Sequence, residues 1–112
     1  MSVDQPNVVD IISNSQSGEI VLTISDHLDW TDTHGHLLVL QEKINTYLRF
    51  LESGEIYQRY PDATGRKIII KVVFQLEPNL EARSFLSKAR TIVEGAGFGF
   101  AFELFSASRF PI

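Results

Sequence analysis

The chain has 112 residues, 44% of them apolar and 21% charged, a balance that fits one folded domain over residues 1–112 and argues against disorder. It contains no cysteine, which excludes disulfides, thiolate zinc sites and cysteine nucleophiles. The net charge of -4, with no basic run, excludes general binding to nucleic acid, and no apolar stretch reaches the roughly 20 residues of a membrane span.

Residues 1–7 read as a polar leader without the basic start of a secretory signal, so the expected location is cytoplasmic. Val8, Val9, Ile11 and Ile12 read as a first strand, and residues 14–18 as a turn. Ile20, Leu22 and Ile24 then alternate along a second strand, completing a β-hairpin. Residues 26–34, rich in Asp and Thr, connect to a helix whose N-cap is Thr31, Asp32 or Thr33.

Residues 35–52 carry the strongest periodic signal. Leu37, Leu40, Ile44, Leu48 and Leu51 recur at spacings of three and four, one stripe of a helix that Ser53-Gly54 ends. A further helical turn before Tyr60 fits residues 55–60, and Pro61, Asp62 and Gly65 mark a loop. Over residues 66–76, Ile68, Ile70, Val72 and Phe74 line one face of a third strand, while Ile69 and Val73 make the other face half apolar. A helix over residues 80–94 and a strand over residues 98–105 follow, with residues 106–112 a loose end. Gly95, Gly97 and Gly99 stop the helix and turn the chain, since no helix follows them as a phosphate-cradling loop requires. The expected architecture is α+β: a two-layer sandwich of a four-stranded mixed sheet with two helices on one face, in the order β-β-α-β-α-β.

Four segments carry a family resemblance: the opening VDQPNVVD, the central ISDHLDW, the helix LQEKINTYLRFLESGEIY with its YPDATGR tail, and the late FL…AG. Over nearly its whole length the chain resembles a family of short bacterial proteins known only as a domain of unknown function. The resemblance implies a stand-alone bacterial domain and brings no reaction or catalytic residue with it.

All three histidines fall within residues 26–36, among Asp26, Asp29 and Asp32. Imidazole and carboxylate are ligands for a divalent transition metal, which makes His27, Asp32, His34 and His36 the candidate metal set. The His34-x-His36 spacing suits one ion only if position 35 is extended; on a helix the two rings diverge by about 200°. Against the metal stands the plainer reading of capping residues and solvated histidines. Ser25, Asp26 and His27 have the types of a hydrolase, but neighbours in a strand alternate faces and no nucleophile elbow is present. No catalytic residue and no cofactor other than that metal is expected.

Aromatic residues in connections supply the other candidate. Trp30, Tyr57 and Tyr60, with Ile69, Val73 and Phe105 on the second sheet face, are where a protein partner or a second copy would bind. The expected function is therefore non-catalytic protein interaction with possible homodimerisation, and metal binding or metal-dependent hydrolysis is the alternative.

Overall fold

The computed structural model describes the backbone of residues 11–14 and all of residues 17–105. Val8 and Val9, the leader, and residues 106–112 with Phe110 lie outside the described residues. In chain order the elements are β1 (Ile11–Asn14), β2 (Ile20–Asp26), α1 (Thr33–Glu52), α2 (Glu55–Arg59), a single 3-10 turn (Pro61–Ala63), β3 (Ile68–Phe74), α3 (Leu80–Gly95) and β4 (Gly99–Leu104).

β2 and β3 are each followed by a helical connection that carries the chain back to the start of the next strand. That geometry makes strands parallel. β2 pairs parallel with β3, Leu22 opposite Ile70, and β3 pairs parallel with β4, Ile70 opposite Phe100. The four-residue β1 runs antiparallel along the outer side of β2.

This corrects the expected architecture of a four-stranded mixed sheet with two helices in the order β-β-α-β-α-β. The body of the sheet is three parallel strands, because the β2–α1–β3 connection is a crossover of the same kind as β3–α3–β4. The helices number three among the described residues, since Gly54, at φ 80°, turns the chain so that Glu55–Arg59 forms α2. The α+β class stands.

Burial alternates along the strands and so identifies the covered face. Ile20, Leu22, Ile24, Ile68, Ile70, Val72, Phe74 and Phe100 are buried, and the buried stripe of α1 includes Leu40, Ile44, Tyr47, Leu48 and Leu51. α3 contributes Ala82, Leu86, Ala89 and Val93. On the opposite face Val21, Thr23, Ser25, Ile69, Lys71, Val73 and Ala101 are only half-buried. No helix of the described residues is long and apolar enough to cross a membrane.

Two polar residues lie inside these apolar sets because they share their phase. Asp26 follows Ile20, Leu22 and Ile24 at the strand period of two, and His36 precedes Leu40 at the helix spacing of four. Lys43 also occupies the buried stripe, its Nζ 5.5 Å from the Tyr47 ring centroid.

Candidate functional site: a closed His–Asp pair and an open sheet face

β2 ends at Asp26 and α1 begins at Thr33, at the end of the sheet where the parallel strands finish. Binding sites of parallel sheets concentrate there. Asp32 is the α1 N-cap, its Oδ1 accepting from the Gly35 N–H at 3.1 Å. Asp29 accepts from the Thr31 N–H at 3.0 Å, which closes the preceding turn. Asn79 joins the two helix starts: its Oδ1 caps α3 by accepting from the Ala82 N–H, and its Nδ2 donates to Thr33 Oγ1.

The cap leaves no room for a side chain at position 35, because a Cβ there would strike the Asp32 carboxylate. Gly35→Ala is therefore expected to destabilise the native protein, whereas in an Asp32→Ala background the same change stabilises it by up to about 1 kcal/mol through helix propensity. Urea unfolding of the four proteins measures this change of sign.

Within this frame the His36 ring is fixed at both nitrogens. Nδ1 lies 2.9 Å from the Asp29 carbonyl oxygen, an acceptor only, so Nδ1 carries a proton and donates. Nε2 lies 2.6 Å from Asp26 Oδ2, with one further proton between them. Asp26 Oδ1 accepts from the Leu28 N–H at 3.1 Å. The two side chains are 2% and 0% exposed, respectively. Trp30 closes the top: its ring stacks on His36 at 3.7 Å between centroids and 18° between planes. It also donates from Nε1 to the Leu76 carbonyl and rests against Phe74.

Chemically, the pair is spent. A general base needs a nitrogen free to take a substrate proton, and a metal ligand needs a free lone pair. Both His36 nitrogens face oxygens of the protein itself. What the pair does is tie the end of β2 to the start of α1.

The candidate residues from the sequence scatter. His34 is exposed on α1, two residues along from the buried His36, and His27 is exposed in the preceding loop. Asp32 is spent on the cap. Among the described residues no group of three or more His, Cys, Asp or Glu side chains is placed to hold a metal ion. His27, Asp29 and Asp32 do share a shallow depression of about 480 Å³ with one side of His36. Of the aromatic candidates, Trp30 is half-buried over His36, while Tyr57, Tyr60 and Phe105 are exposed. Ile69 and Val73 lie on the open face of β3.

Lys71 and Glu103 form an ion pair of 2.9 Å across that face, between β3 and β4. Around it the side chains are short or β-branched: Val21, Thr23 and Ser25 on β2, Ile69 and Val73 on β3, Ala101 on β4.

Fold and site thus define an α+β domain with a buried His–Asp pair and one sheet face on which the described residues place no second layer. The chain belongs to DUF6572, a family of unknown function, whose model matches residues 1–106. No curated protein and no solved structure matches it.

Proposed function

We propose that this protein works by binding protein rather than by catalysis, and that its open sheet face packs against the same face of a second copy. The observation that carries this reading is the half-apolar face of β2 and β3, on which the described residues place no second layer. Its charges support a partner of its own kind. Lys71 and Glu103 sum to zero, so two such faces related by a two-fold axis meet without net repulsion. Placement in the cytoplasm of a bacterial cell belongs to the same proposal.

Size sets the strength. Three strands about 4.8 Å apart and about 23 Å long present roughly 300 Å² of flat sheet, well under the roughly 800 Å² per partner of a standard interface. The pairing is accordingly expected to be weak, with a dissociation constant of about 10 μM or above.

Sedimentation equilibrium between 1 and 200 μM tests this. The wild-type mass should rise with concentration well above the 12.7 kDa of one chain. Val73→Lys adds a charge to the face beside Glu103, its neighbour on β4, so the monomer tolerates it while the pairing weakens more than tenfold. A wild type that stays at 12.7 kDa throughout, or a variant indistinguishable from it, overturns the proposal.

A further inference from the structure

Among the described residues β4 is the last strand of the sheet, and its sequence, GFAFEL, contains no proline, lysine or bulge, its one charge being Glu103. The direction of its backbone groups follows from one bond. The Phe105 N–H donates to the Phe74 carbonyl at 2.7 Å, so in a parallel ladder residues 99, 101, 103 and 105 turn their N–H and C=O toward β3. Those of Phe100, Phe102 and Leu104 point away from the sheet.

We infer that this edge pairs antiparallel with β4 of a second copy, about a two-fold axis at Phe102, making one continuous sheet through both chains. The side chains fit that register. On the helix-covered face Phe102 meets its own counterpart and Phe100 lies opposite Leu104. Phe102 is left half-buried in the single chain although its β3 neighbour Val72 is fully buried. On the open face large faces small: Glu103 lies opposite Ala101, and Phe105, 54% exposed in one chain, covers Gly99 of the other. Ala101 is the β4 neighbour of Lys71, so each Glu103 approaches Lys71 of the second copy, and no like charges stand opposite.

This contact uses the sheet edge and is independent of the face-to-face contact proposed above, so separate variants remove each. Leu104→Pro deletes an N–H that points outward and costs the single chain no ladder bond. It should lower the mass at 200 μM in sedimentation equilibrium by half relative to wild type, and also relative to Val73→Lys when added to that variant.

The register is read by cross-linking, which the absence of native cysteine makes unambiguous. In the inferred pairing two Phe102→Cys chains bring their Cα atoms to about 5.5 Å, within disulfide reach, whereas two Leu104→Cys chains stand about 13 Å apart. Under diamide, Cys at 102 should give a covalent dimer that Leu104→Pro abolishes, and Cys at 104 should give none. Equal cross-linking at both positions, none at 102, or a Leu104→Pro mass equal to wild type overturns the inference.

Discussion

Replacing His36 with Ala lowers the unfolding free energy by about 3–5 kcal/mol, while replacing Asp26 with Ala costs about 1.5–3 kcal/mol. The order follows from what each deletion leaves behind. His36→Ala leaves the buried Asp26 Oδ2 without its hydrogen-bond partner, Oδ1 keeping only the Leu28 N–H. Asp26→Ala leaves the His36 ring still bonded through Nδ1 to the Asp29 carbonyl, so only Nε2 loses its partner. His36→Ala also removes the surface on which Trp30 stacks at 3.7 Å. An apolar replacement of both partners, Asp26→Leu with His36→Phe, recovers part of the loss, because neither side chain then strands the other, while the Leu28 N–H and the Asp29 carbonyl lose their bonds. Urea unfolding of wild type, both single Ala variants and the Asp26→Ala/His36→Ala double variant at pH 7 yields the coupling. Additive single losses would show that the pair, 2.6 Å apart and buried, contributes nothing jointly.

Ile70→Ala is expected to cost about 2–5 kcal/mol, against a total that for a small domain is about 5–15 kcal/mol. Ile70 is fully buried in the middle of β3, between Leu22 on one side and Phe100 on the other, beneath the helices. A truncated side chain there leaves a cavity that three neighbouring strands cannot collapse to fill. The control is one residue away. Ile69→Ala changes the same atoms on the uncovered face and is expected to cost under about 1 kcal/mol at concentrations where the chain is monomeric. Equal losses at 69 and 70 would mean that the second face is covered as the first is. The pair of variants therefore measures the two-sidedness of the sheet as well as the core.

Much of the scaffold was legible because its elements have clean periods. The α1 stripe from Leu40 to Leu51 and the Ile68–Phe74 alternation are strong signals of helix and strand. What was missed was missed for identifiable reasons. The parallel pairing of β2 with β3 depends on α1 being a crossover, and nothing in the α1 sequence distinguishes a crossover from a helix that leads into an antiparallel strand. α2, expected only as a helical turn before Tyr60, was not counted as a helix because its five residues are too few to show a period; it begins where Gly54 adopts a left-handed turn.

The His–Asp pair was legible in phase but concealed by residue type. Asp26 continues the inward set Ile20, Leu22, Ile24, and His36 stands four residues before Leu40, so both positions point to the core. Listing apolar residues alone passes over both, as it passes over the buried Lys43. The neighbouring His34 and Asp32 drew attention to a metal instead. On the helix, however, His34 faces away from His36, and Asp32 is consumed by the cap. The uncovered face was visible as the exceptions to alternation, Ile69 and Val73, where a solvated strand would carry polar residues.

The most direct measurement on the proposed function is a dilution series of amide spectra by NMR, from 500 to 5 μM. Concentration-dependent shifts are expected at Val21, Thr23, Ile69, Lys71 and Val73, with a second set along β4 from the edge pairing, and none on the outer surfaces of α1 and α3. Spectra that do not change with concentration, or shifts confined to the helices, would contradict the proposed function.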